Sequence, residues 1–106
     1  MELKIKRLHP DAVIPQRATD GSAGMDLYAV LKEPLTVAAG ERVRIPTGIA
    51  IGLPSPETVA LVFARSGLAV KHGLTLSNCV GVIDSDYTGE IQVGIINQSD
   101  TAYTVQ

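Results

Sequence analysis

The apolar residues of this chain fall in short runs, many of period two, and none of the runs sustains a long helix. In Leu3-Lys4-Ile5-Lys6 the apolar side chains alternate with lysines, so one face of a strand is greasy and the other charged. Leu35-Thr36-Val37 and Arg42-Val43-Arg44-Ile45 repeat the pattern on either side of Ala39-Gly40-Glu41, where a hairpin turn is expected. Gly48 to Leu53, Leu74 to Leu76, Val80 to Ile83, Glu90 to Ile96 and Thr101 to Val105 continue the series. Thr58 to Phe63 is nearly continuous in apolar residues and is expected to be a fully buried strand. Ten Gly and six Pro in 106 residues punctuate these runs. At least eight short strands separated by turn residues predict an all-β sandwich, barrel or jelly roll. Only Ser66 to His72 can make a turn or two of helix.

Composition removes several function classes. Nine basic against eleven acidic residues give a net charge of −2, which leaves no broad cationic face for nucleic acid or an anionic membrane. The longest uncharged stretch, Ile45 to Pro56, is too short to span a bilayer and is broken by Pro and Gly. Met1 to Arg7 alternates charge with apolar residues and has no signal-peptide core, so a cytoplasmic protein is expected. Cys79 is the sole cysteine, which excludes an intramolecular disulfide and any CxxC motif. With only His9 and His72, the ligand set of a zinc deaminase cannot be assembled. Cys79 itself is expected to be a small buried hydrophobe.

Three segments carry chemistry that a scaffold does not need. Gly21-Ser22-Ala23-Gly24-Met25-Asp26 combines small residues, past which a ligand can approach the backbone, with a carboxylate at the start of an apolar run. The same residues also suit a loop in which Asp26 bonds to nearby N–H groups. Arg65-Ser66-Gly67 places a guanidinium, a hydroxyl and a glycine amide in succession, an arrangement suited to phosphate. It is equally the composition of a strand-to-turn junction with a solvated or ion-paired Arg65. A Ser66–His72–Asp84 triad finds no support, because the residues around Ser66 do not fit GxSxG. Asn78 to Glu90 is the richest segment, with two apolar runs flanking a polar turn, and a β-hairpin is expected there. Asn78 has both a donor and an acceptor for a base edge, and Tyr87 a flat face for a sugar or base. Asp84 and Asp86 are two apart and would share a side in extended chain.

Ala23-Gly24-Met25-Asp26-Leu27-Tyr28-Ala29, Arg65-Ser66-Gly67-Leu68-Ala69 and Gly81-Val82-Ile83-Asp84-Ser85-Asp86-Tyr87-Thr88-Gly89 resemble the first three motifs of the homotrimeric dUTPases. They occur in the family's order and at fitting separations, and Pro46-Thr47-Gly48 resembles a recurring family turn. The resemblance covers essentially the whole chain. It implies an all-β, jelly-roll-like β-sandwich that trimerises, with active sites at subunit interfaces. The implied reaction is dUTP plus water to dUMP plus pyrophosphate, with Mg2+ as cofactor. By motif, Asp84 would be the base that orients and deprotonates the water. Tyr87 would pack on deoxyribose, and Asn78 with the backbone around Val82 and Ile83 would read uracil. Arg65, Ser66 and the Gly67 amide would meet the phosphates, and Gln92 would lie near the nucleotide. Asp26 would hold a magnesium-bound water rather than the ion itself.

The family's fourth motif, roughly Pro-Gly-Glu-Arg-Ile-Ala-Gln, and its glycine-rich fifth motif have no counterpart before Gln106. Gly40-Glu41-Arg42 looks like part of the fourth motif but stands in the wrong place. The expectation is therefore one domain over 1–106, C-terminally shortened, with motifs one to three present and turnover reduced more than folding. Two alternatives remain: a non-catalytic trimeric nucleotide-binding module, and a dCTP deaminase of related fold. The deaminases prefer a serine-rich stretch after the motif arginine and a glutamate base, where this chain has Gly67-Leu68 and Asp84.

Overall fold

Nine short strands and one helix follow the punctuation of the sequence closely. The computed structural model describes all residues, Met1–Gln106. Strands β1 (Lys4–Arg7), β2 (Leu35–Val37), β3 (Arg42–Pro46), β4 (Ile49–Gly52) and β5 (Ala60–Val62) precede helix α1 (Ser66–His72). Strands β6 (Leu74–Leu76), β7 (Gly81–Ile83), β8 (Gln92–Asn97) and β9 (Tyr103–Val105) come after it. All pairings are antiparallel: β1 with β4, β2 with β9, β5 with β7, and β8 between β3 and β6. Sequence neighbours pair nowhere, so the chain crosses between small sheets at nearly every connection, as in a jelly roll. The α1 helix is only seven residues long and ends at Gly73, whose φ of 71° gives the left-handed cap that L side chains resist. No helix is long and apolar enough to cross a membrane.

The interior is organised around Ala12, Ile49, Ile51 and Ile91, with Leu3, Ile5, Leu27, Val30, Ile83 and Val93 packed against them. Ile91 is the residue that ties the layers together. Its N–H donates to the Ile49 carbonyl at 2.9 Å, and its own carbonyl accepts from the Thr47 N–H at 3.2 Å and the Thr47 hydroxyl at 2.6 Å. Thr47 is itself buried, so its hydroxyl is satisfied inside rather than by water. Gly48, next in the chain, has φ +69°, and a Cβ there would lie 3.0 Å from both Ala12 Cβ and Val30 Cγ2. Conformation and space both require glycine at that corner.

Several sequence expectations are corrected by these pairings. The turn at Ala39-Gly40-Glu41 forms, with the Glu41 N–H on the Ala38 carbonyl at 3.0 Å, but β2 and β3 do not pair across it. Asn97 is stitched into the turn instead: its carbonyl accepts from the Gly40 N–H at 2.7 Å and its N–H donates to the Glu41 carbonyl at 3.0 Å. The turn is thus a corner between sheets. The expected hairpin in the third segment is likewise absent, because β7 joins β5 while Ile91 pulls the chain over to β4 and on into β8. The Thr58 to Phe63 run, which forms β5, is not fully buried: Leu61 and, just past the strand, Phe63 are 51% and 62% exposed. Its register with β7 puts Leu61 opposite Val82, also 62% exposed, so an apolar strip faces outward on this sheet. Cys79 is exposed too, with φ +66°, at the tight bend where the Val80 N–H donates to the Asn78 carbonyl.

Candidate active site

The third motif, the end of β6 and the start of β8 enclose a cleft of about 360 Å³. Asn78, Val82, Ile83, Asp84, Tyr87 and Gln92 all line it. Six residues singled out from sequence therefore converge on one space. Asn78 reaches it from the bend after β6, Val82 and Ile83 from β7, and Gln92 from the first position of β8. Asp84 and Asp86 do not lie along extended chain. The Tyr87 N–H donates to the Asp84 carbonyl at 3.1 Å, closing a turn through Ser85 and Asp86, and only Asp84 of the two carboxylates lines the cleft.

The ring of Tyr87 is held by its own hydroxyl, which donates to the Glu90 carbonyl at 2.8 Å. A Cβ on Gly89 would lie 2.8 Å from that hydroxyl oxygen, so the ring folds over the space that glycine leaves. Gly89→Ala is expected to push the ring off and break the bond. The cost is about 1 kcal/mol, a fall in Tm of about 5 °C, readable by thermal denaturation.

Motifs one and two meet at a second place. A guanidinium nitrogen of Arg65 lies 3.7 Å from a carboxylate oxygen of Asp26, with the Asp26 side chain 26% and that of Arg65 66% exposed. Exposed pairs of this kind contribute little to stability, so the contact matters for where it puts a cation and a carboxylate. The Asp26 backbone is anchored by its N–H on the Gln16 carbonyl at 3.2 Å. Ser66 and Gly67 open α1 beside Arg65 and are solvent-exposed, and a Cβ on Gly67 would meet nothing within 4 Å. Asp26 and Arg65 line a larger, apolar cleft of about 1590 Å³. The two clefts share Val62, Leu76, Ile83, Ile91 and Val93 as a common wall. The sequence-selected residues thus form two groups.

No group of three or more His, Cys, Asp or Glu side chains is placed to hold a metal. Asp26 offers one carboxylate, already within reach of a guanidinium, which suits an outer-sphere contact to a hydrated ion better than direct ligation. Reading the sequence alone passes over Glu90 and Arg44, which both line the smaller cleft. Arg44 is the only cationic side chain in that lining. The clue to it is the period of β3, which sends Arg42 and Arg44 to the same face. Glu90 is not marked by its neighbours, since the Gly48 N–H that fixes its Oε2 is 42 positions away, although the Gln92 amide on its Oε1 is only two away.

A jelly roll with a base-sized cleft beside an aspartate, and a cation–carboxylate pair in an adjoining cleft, has the architecture of a nucleotide-handling β-sandwich protein. A family model described as dUTPase matches residues 10–106, and the chain belongs to that family. It is 52% identical over 108 residues to a deoxyuridine 5'-triphosphate nucleotidohydrolase of Desulfitobacterium hafniense, covering 100% of this chain and 72% of that relative. The dUTPase of Staphylococcus bacteriophage 80alpha in a form with dUpNHpp superimposes with a TM-score of 0.78 at 28% identity, covering 92% of this chain and 55% of that one. The enzyme from phage phi11 of S. aureus gives 0.79 at 27% identity, over 93% of this chain and 61% of its own. A mutant of the phi11 enzyme is described with a structural Mg(II) ion. The chain thus spans little more than half of the first phage protein.

Proposed function

We propose that this chain hydrolyses dUTP to dUMP and pyrophosphate through water attack at the α-phosphorus. The observation that carries the reading is the convergence of Asn78, Val82, Ile83, Asp84, Tyr87 and Gln92 on one cleft of about 360 Å³. In this reading Asn78 and the backbone at Val82 and Ile83 hydrogen-bond the uracil edge. Uracil presents an acceptor at C4 where cytosine presents a donor, so a site built for one leaves buried groups unpaired with the other. Tyr87, pinned through its hydroxyl to Glu90, packs on the deoxyribose and crowds a 2′-hydroxyl. Asp84 orients the water and takes its proton. A carboxylate is a weak base, so alignment of the water against phosphorus supplies much of the acceleration. Arg65, Ser66 and the Gly67 amide hold phosphate oxygens by charge-assisted bonds.

Magnesium, when bound, neutralises charge on the triphosphate. Asp26 would hold such an ion through one of its waters rather than ligate it directly.

Copies of the chain associate in this reading, as a homotrimer with interfacial sites. Two observations support it. The Asp84 cleft and the cleft lined by Asp26 and Arg65 are distinct and share only apolar wall residues, so in this reading a second copy supplies the Asp26–Arg65 chemistry at each Asp84 cleft. The outward strip of Leu61, Phe63 and Val82 is apolar surface of the kind subunits cover.

Pyrophosphate release from dUTP, dCTP and dTTP with magnesium tests the activity. It is measured on residues 1–106 and on a chain continued past Gln106 to the length of its relatives. Release from dUTP at least about a hundredfold faster than from the other two is expected of the longer chain. Binding of nucleotide without release by either chain would instead identify a non-catalytic module.

A further inference from the structure

Glu90 lies on the lining of the Asp84 cleft with both carboxylate oxygens already engaged by other groups of the chain, one in a part-buried bond and one in an exposed bond. Oε2 accepts from the Gly48 N–H at 2.9 Å, and Oε1 accepts from Nε2 of Gln92 at 3.1 Å. An ionised carboxylate can only accept, so the end of the Gln92 amide that faces it has to be the NH2 group. The carbonyl oxygen of Gln92 is thereby turned away from Glu90, and that bond is the only one the Gln92 side chain makes to the protein. Gln92 lines the same cleft as Asn78, Asp84 and Tyr87.

We propose that Glu90 is a positioning residue that sets the polarity of Gln92, so that Gln92 offers the nucleotide an acceptor and not a donor. The proposal rests on the cleft being the nucleotide site. The ligand group it selects is a hydrogen-bond donor of the nucleoside, and deoxyuridine has two: the base N3–H and the sugar 3′-hydroxyl. Rotating an amide costs almost nothing in a free side chain, so without a partner Gln92 presents either end. Fixing it beforehand removes that ambiguity before the ligand arrives.

The physical consequence is a defined inversion. In Glu90→Gln the new amide is the same size but keeps one acceptor atom for two donors. The Gly48 N–H belongs to the backbone, at a corner where φ is +69°, and cannot turn. Gln92 can. The stable arrangement keeps the amide oxygen of residue 90 on Gly48 and points its NH2 at Gln92, which rotates to accept. Gln92 then shows its own NH2 to a ligand donor. The Tyr87 hydroxyl bonds to the Glu90 backbone carbonyl, so it is untouched by the exchange.

The test uses dUpNHpp with magnesium and isothermal calorimetry on the unsubstituted chain, E90Q, Q92A and E90Q/Q92A. E90Q is expected to weaken binding about tenfold, and Q92A by a similar factor. In the Q92A background the E90Q exchange is expected to change Kd by less than about twofold, because no amide remains to be turned. A role confined to holding the Gly48 corner would weaken binding equally in both backgrounds, and that result overturns the proposal. So does a Q92A chain that binds as the unsubstituted one, a result that does not depend on E90Q folding. Failure of the unsubstituted chain to bind dUpNHpp removes the site itself, whereas binding indifferent to E90Q removes this proposal alone. Repeating the comparison with the 2′,3′-dideoxy form of the same imido analogue, which is not hydrolysed, separates the two donors. Loss of the E90Q effect assigns the 3′-hydroxyl, and its persistence assigns N3–H.

Discussion

Asp84→Asn is expected to lower pyrophosphate release by at least about a thousandfold while dUpNHpp binding changes by less than about threefold. The amide matches the carboxylate in size, and the backbone bond from the Tyr87 N–H to the residue 84 carbonyl survives the exchange. The cleft therefore keeps its shape. What is lost is an oxygen able to take a proton from water, and an amide NH2 aimed at the water opposes the needed orientation. Single-turnover release and equilibrium binding on the same preparation separate these effects. Retention of more than a tenth of the rate would remove Asp84 from the role of base.

The second large effect is on stability, at Asn97. Its side chain is fully buried, with 0% of the residue exposed, and all four hydrogen-bonding positions of the amide are used. Nδ2 donates to the Val37 carbonyl at 3.0 Å and the Thr101 carbonyl at 2.9 Å. Oδ1 accepts from the Ser99 N–H at 2.9 Å and the Ser99 hydroxyl at 2.7 Å. One side chain thus ties the end of β8 to β2 and shapes the turn that leads to β9. Asn97→Leu preserves volume but strands the buried Val37 carbonyl and unties the half-exposed Ser99–Thr101 turn. The expected loss is about 2–3 kcal/mol, against a total stability of about 5–15 kcal/mol for an ordinary domain. In urea the midpoint falls with little change in slope, and a loss below about 1 kcal/mol would show that water reaches the stranded groups.

Residues whose function is local were legible in the chain. The Asp26, Arg65 and Asp84 segments were recognisable because turn residues, small residues and reactive groups must sit at fixed offsets to make a bend that presents a side chain. Helix α1 was also readable end to end, since Gly73 stops it. Strand partners were not. The hairpins expected at Ala39-Gly40-Glu41 and in the third segment were natural readings of turns between alternating runs, and the turns do form. Their flanking strands pair elsewhere because Ile91 and Asn97 find buried hydrogen-bond partners in distant segments. The exposure of β5 has a related cause. An apolar run says that water is to be avoided, but one chain's sequence does not say whether its own core or another molecule covers it.

By itself, then, the sequence determined an all-β domain of short strands, its one short helix, and the motif residues that mark it as a dUTPase-family chain. Those follow from periodicities of two and from offsets of a few residues, which are properties of neighbouring positions. Only the tertiary structure decided that six of the selected residues share one cleft, that Asp26 and Arg65 meet outside it, and that the distant Gly48 amide holds Glu90 where it meets Gln92. Each of these depends on which distant strand satisfies a backbone or side-chain polar group in the interior. That choice is made by the whole set of buried partners at once, and no local pattern encodes it.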